Sequence, residues 1–289
     1  MIYEHDLILS KKMNSFMKSL VMLNKLTKKT LIGFSMGGKQ KVARPKRLKN
    51  IDIKVINNMK VIEFRQEKIN SKKHIIFLPG GGFIIKGNRG HYSIIDELRN
   101  QANLSASFID YPIAPEFNAN EIISQTKEVI KQIMKENSNK EISVVGVSAG
   151  GNLALTITKQ LQEESCDFPT KLFLISPWVD LTISNDSFNN PTHHEFMFTK
   201  EELFNAAKLY ARDLELNDKQ ISPIHNDFRD LNIIIYAGTA DILYPDIELF
   251  ADKFKSVVLN KYYNLPHAFP VFGKTPERQI VINDIKKHL

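Results

Sequence analysis

A single cysteine, Cys166, stands in 289 residues, which excludes an intrachain disulfide and leaves the folded state to rest on its core. Long apolar runs are missing as well. No stretch approaches the ~18 uninterrupted apolar residues that a membrane-spanning helix needs. The start, Met1-Ile-Tyr-Glu-His-Asp, lacks the basic residues of a secretory signal, so a cytoplasmic location is expected. The net charge of +7 is unevenly placed: residues 1–50 hold twelve Lys or Arg against Glu4 and Asp6, and the rest sums to −3. That surplus belongs to one segment rather than to a folded face with base-reading aromatics, so no nucleic-acid partner is expected.

The length suits one large α/β domain with an insertion, so 1–289 is read as a single domain. From Lys11 to Leu31 apolar residues recur at helical spacing, among them Met13, Phe16, Met17, Leu20 and Val21, with lysines mostly on other faces. Two uses stay open for this helix: packing its stripe on the protein, or lying on a lipid surface. Arg44-Pro-Lys-Arg47 reads as a linker.

Beyond it, short apolar runs alternate with longer helical ones, the sequence form of a mostly parallel sheet with helices on both faces. Strands are expected at Val61–Phe64, Ile75–Leu78, Ala106–Asp110, Ile142–Val147, Leu172–Ile175, Ile233–Ala237 and Val257–Tyr263. Helices are expected at Ile122–Glu136, Asn152–Glu163 and Pro276–Leu289. The stretch from about 180 to 221 breaks the alternation and reads as an insertion carrying a helix, Thr199–Asp213, that covers a site.

Ile142-Ser-Val-Val-Gly146-Val-Ser148-Ala-Gly150-Gly is a buried strand, then G-x-S-x-G, then a helix of small and apolar residues. A nucleophilic serine on so tight a turn needs small neighbours two positions either side, which Gly146 and Gly150 supply. Gly33-Phe-Ser35-Met-Gly37 matches the same pattern but follows a lysine-rich helix and runs into Lys39-Gln-Lys, so it is read as a helix end. Upstream, Pro79-Gly80-Gly81-Gly82-Phe83 follows a strand, and consecutive glycines let backbone N–H groups approach a ligand closely. Gly81 and Gly82, with the N–H of Ala149, are the expected donors to an oxyanion.

A serine nucleophile needs a histidine to take its proton and an acid to orient that histidine. His193, His194, His225, His267 and His288 follow Ser148. His267, in the loop after the last expected strand, fits best, and Asp241 after the preceding strand is the expected acid, with Asp246 as the alternative. Gly80, Phe83, Phe196, Met197, Phe198 and Tyr210 are candidate substrate-pocket residues, though core packing would also use most of them. His193-His194-Glu195 lacks the spacing of a metal site and is read as cap surface; no metal is expected.

Together Gly80-Gly81-Gly82, Asp110-Tyr-Pro-Ile-Ala-Pro115-Glu, Gly146-Val-Ser148-Ala-Gly150-Gly-Asn, Ser176-Pro-Trp-Val-Asp-Leu and Asp241-Ile-Leu resemble the hormone-sensitive-lipase-like esterases over about residues 74–270. The resemblance implies an α/β-hydrolase fold with an eight-stranded-type sheet and a helical cap formed by about 1–45 and about 180–221. It also implies a carboxylesterase or acetyl-ester hydrolase, acting on a small-molecule ester of short or medium acyl length without a cofactor. Amide or formamide hydrolysis, a non-catalytic small-molecule binder of the same fold, and a homodimer are the alternatives kept open. Two positions depart from the pattern: Pro79 where the family has histidine before the glycines, and Val147 where it has an acid before the serine.

Overall fold

The computed structural model describes residues 1–27, 48–65, 72–185 and 197–289. Ser35, Arg44–Arg47, His193, His194, Glu195 and Phe196 therefore lie outside the described residues.

Six consecutive central strands carry the runs read from the sequence: β4 (Lys73–Leu78), β5 (Ser105–Asp110), β6 (Glu141–Val147), β7 (Lys171–Ile175), β8 (Asn232–Gly238) and β9 (Val257–Tyr262). All neighbouring pairs among these six are parallel, in the order β9-β8-β7-β6-β4-β5. Their side chains alternate between two buried layers, as the two-residue period of a strand requires. Ile76, Leu78, Val144, Leu174 and Ile235 join one cluster, whereas Ile75, Phe77, Val145, Phe173 and Tyr236 join the other. Helices α3 (Ala119–Glu136), α4 (Ala149–Glu163) and α6 (Tyr244–Lys253) cover the first layer through Ile122, Leu153 and Phe250. The second is covered by α2 (Arg89–Ala102) and α7 (Pro276–His288) through Ile95, Leu98, Val281 and Ile285. Each fully buried Ile, Leu or Phe of these layers contributes about 1.5–3 kcal/mol relative to exposure.

The sheet has nine strands among the described residues rather than eight. At one edge β2 (Ile51–Ile56) and β3 (Met59–Phe64) form a hairpin, β3 pairing antiparallel with β5. Its Asn57-Asn58 turn has φ of 48° and 63°, the doubly positive form whose twist matches the flanking strands. At the other edge lies β1 (Ile2–His5), parallel to β9. These residues were expected in the cap; they extend the sheet instead, because the amino terminus donates to Val257 O at 2.8 Å and His5 stacks on Tyr262 at 4.5 Å.

Helix α1 (Lys11–Thr27) follows, and the start of its stripe is turned onto the body: Met13 is buried and Phe16 stacks on Phe272. Ser10 fixes its start by donating its N–H and hydroxyl to the Glu277 carboxylate at 2.6 and 3.0 Å. The insertion carries α5 (Lys200–Ala211), started by a capping box in which Thr199 and Glu202 satisfy each other's backbone N–H. Among the described residues no helix is long and apolar enough to cross a membrane.

Candidate active site

Strand β6 ends at Val147 and α4 starts at Ala149, so the chain must turn from strand to helix at Ser148. Ser148 does this at φ 53°, ψ −117°, a costly conformation for a residue with a Cβ. Its surroundings hold it there. The Ser148 N–H donates to Ile175 O at 2.9 Å, and its carbonyl accepts from Gly151 N and Trp178 N at 2.9 and 3.1 Å. Glycine is required at 150 because an added Cβ would collide with the Leu78 and Pro79 carbonyls, the start of the neighbouring loop.

That loop, residues 79–83, passes beside Ser148. Gly81 has φ 144°, and its carbonyl accepts from Ile84 N and Ile85 N at 3.1 and 2.9 Å. The N–H groups of Gly81, Gly82 and Ala149 donate to no partner among the described residues. Tyr111 anchors the loop's start by donating its hydroxyl to Pro79 O at 2.6 Å. Pro79, unable to donate, thus contributes through its carbonyl.

Asp241 and His267 are brought together from the loops after β8 and β9. Asp241 is wholly buried; its Oδ1 accepts from Leu243 N at 2.9 Å and its Oδ2 lies 2.9 Å from His267 Nδ1. The loop bearing His267 is tied to its neighbours: Ala268 N donates to Ser176 Oγ at 3.0 Å, and Ala240 N to Leu265 O at 3.1 Å. The Phe198 ring meets the His267 ring edge-on at 4.8 Å.

Ser148, His267, Gly80, Gly81, Gly82 and Phe198 line one cavity of about 110 Å³. Two expected pocket residues do not. Phe83 has φ 63°, which turns its ring away from the cavity into the core, where it stacks on Tyr210 at 3.7 Å. Both are completely buried there. Met197, a candidate from the sequence, lines it too, and residues the sequence did not single out complete the lining, His91, Val271 and Phe272 among them. His91 had one linear signal, its place three residues after Asn88 at a helix start, where the pair caps α2. Val147, in place of the family's acid, is apolar, buried and part of the cavity wall.

Asp246, the alternative acid, faces elsewhere. Its Oδ1 accepts from Asn185 at 3.2 Å. Burial, with Asp180 adding like-charge repulsion, raises its pKa to about 7, against opposing effects of Asn185 and Lys200. The unfolded carboxyl ionises near 3.8, so folding is penalised increasingly as pH rises through the interval between these values. Asp246→Asn is expected to raise the melting temperature more at pH 8 than at pH 5, with the gain levelling off above about pH 7. An equal or larger gain at pH 5 in thermal unfolding would contradict this. Among the described residues no cluster of three or more His, Cys, Asp or Glu is arranged to hold a metal ion.

A buried, mostly parallel sheet, a strained serine between strand and helix, and an aspartate–histidine pair on the loops after β8 and β9 define the α/β-hydrolase class. The chain belongs to the alpha/beta hydrolase fold family, whose sequence profile matches residues 75–271. It is 27% identical over 194 residues to an esterase of Acinetobacter venetianus, covering 66% of this chain and 64% of that protein. It is 23% identical over 173 residues to a triacylglycerol lipase of Mycobacterium tuberculosis, covering 59% of this chain and 35% of that one. The chain thus spans less than two thirds of either relative's length. Among solved structures, an esterase from the bacterial hormone-sensitive lipase family superposes with a TM-score of 0.82 at 18% identity, covering 98% of both chains. A hormone-sensitive lipase from a metagenome library gives 0.80 at 21% identity, covering 95% and 97%. These two share the fold.

Proposed function

We propose that the protein hydrolyses carboxylic esters of short acyl chains through Ser148, His267 and Asp241. The observation that carries this reading is the 2.9 Å Asp241–His267 pair lining, through His267, the same cavity as the strained Ser148. Asp241 keeps the proton on His267 Nδ1, which leaves Nε2 with the lone pair that accepts the serine proton. Ser148 Oγ attacks the acyl carbon, and the carbonyl electrons move onto oxygen. The N–H groups of Gly81, Gly82 and Ala149 stabilise that oxyanion, each such donor being worth about 2.7–4 kcal/mol in the transition state. Collapse breaks the bond to the alcohol, which leaves with the proton from His267. Water then attacks the acyl-enzyme by the same route, releasing the acid and restoring Ser148.

Cavity size argues for short acyl groups: about 110 Å³ is well below the roughly 300–1,000 Å³ of sites that enclose drug-sized ligands. Met197, Phe198, Val271 and Phe272 give it an apolar wall suited to an alkyl chain. We take the insertion from about 180 to 221 as its cover. The names of the relatives, esterase and lipase, favour an ester over an amide. In a p-nitrophenyl ester series, kcat/KM is expected to be highest for acetate to butyrate and to fall steeply for long chains. A maximum at palmitate would refute the acyl preference, and faster cleavage of a matched anilide would favour the amide reading.

A further inference from the structure

We propose that His91 is a positioning residue that aims the oxyanion loop by holding the Gly80 N–H. This rests on the ester-hydrolase reading above. Pro79 stands where the resembled family carries a histidine, and here a histidine reaches the same loop from the start of α2 instead. The Gly80 N–H donates to His91 Nε2 at 3.1 Å, and the Asn88 N–H points at Nδ1 from 3.2 Å. The ring is 5% exposed, lies edge-on to Phe77 and lines the cavity beside Ser148 and His267. Burial, followed by the nearby His267, lowers its pKa to about 3, so the ring is neutral at working pH.

A neutral imidazole has one lone-pair nitrogen and one N–H, so it accepts from only one of the two amides at a time. Burial favours Gly80, whose bond is fully buried, where an unmet amide costs most, whereas that of Asn88 is part-buried. With Tyr111 gripping Pro79 O, His91 gripping Gly80 N and the Gly81 carbonyl tied to Ile84 and Ile85, the loop is fixed on both sides. Among the described residues the loop amides left without an acceptor are those of Gly81, Gly82 and Phe83, and of these Gly81 and Gly82 line the cavity with Ser148.

Two side chains separate this role from simple helix capping. Glutamine at 91 can place its oxygen near the Nε2 position and accept from Gly80, whereas asparagine reaches only the Nδ1 position and accepts from Asn88. His91→Ala is expected to lower kcat about 100-fold, the cost of a misaimed catalytic group, while KM changes less than about threefold. His91→Gln should recover most of kcat, and His91→Asn should stay as slow as His91→Ala although it restores thermal stability better. Rescue by asparagine rather than glutamine, equal losses in all three, or no loss in any, would overturn the proposal. Labelling of Ser148 by a fluorophosphonate, measured on the same preparations, separates the two layers. Labelled and active wild-type protein with unaffected variants sinks this inference alone; unlabelled, inactive wild-type protein sinks the ester-hydrolase reading and this inference with it.

Discussion

Ser148→Ala is expected to lower kcat on p-nitrophenyl acetate by about 10⁶-fold, the loss typical when the nucleophile of a serine triad is removed. Folding should be little changed. Alanine keeps the Cβ that strains position 148 at φ 53°, and the backbone bonds to Ile175, Gly151 and Trp178 do not involve the hydroxyl. Residual catalysis over water, about 10³–10⁴-fold, would come from the loop N–H groups and substrate binding. Turnover within tenfold of wild type, at matched thermal stability, would mean that another group attacks the ester.

Asp241→Asn is expected to lower kcat by about 10⁴-fold with little change in KM. The asparagine amide would present an N–H to His267 Nδ1 and force the ring's own proton onto Nε2, the atom that must accept from Ser148. Its carbonyl can still accept from Leu243 N, as Asp241 Oδ1 does, so the loop should keep its shape. The comparison with Asp246→Asn is decisive between the two acids considered. Asp246 is tied to Asn185, and its amide variant should retain kcat within a few-fold. A larger loss in Asp246→Asn than in Asp241→Asn would reverse the assignment.

Much of the fold was legible because the central strands are buried on both faces, and unbroken Ile, Val, Phe and Leu runs mark such strands. The elements that escaped have local reasons. Strand β1 is four residues with Glu4 and His5 among them, and it exists through pairing with β9, a partner more than 250 residues away. Strand β2 has the period-two alternation of a strand, Ile51, Ile53 and Val55 with Asp52 and Lys54, but it is an edge strand with Ile53 and Val55 facing solvent, unlike the unbroken apolar runs that mark the central strands. Helix α2 starts with Arg89-Gly90, which reads as a turn until its Asn88 cap is seen, and α6 starts at Tyr244-Pro245 with no capping side chain to mark it.

That Ser148, Asp241 and His267 would come close in space was legible, because a strand–turn–helix and the loops after two later strands mark their positions. Pocket residues were not. Phe83 sits next to the three glycines in sequence, yet its positive φ turns it toward Tyr210 and Trp178 in the core. His91 lies on a helix with no motif of its own, and only tertiary structure brings its ring to Gly80.

The most direct test is covalent. Incubation with a fluorophosphonate probe, followed by intact mass and peptide mapping, should show one adduct per chain, on Ser148, and none on the Ser148→Ala variant. No adduct on folded wild-type protein, or an adduct on Ser35 in the competing Gly33-Phe-Ser35-Met-Gly37 segment, would contradict Ser148 as the nucleophile.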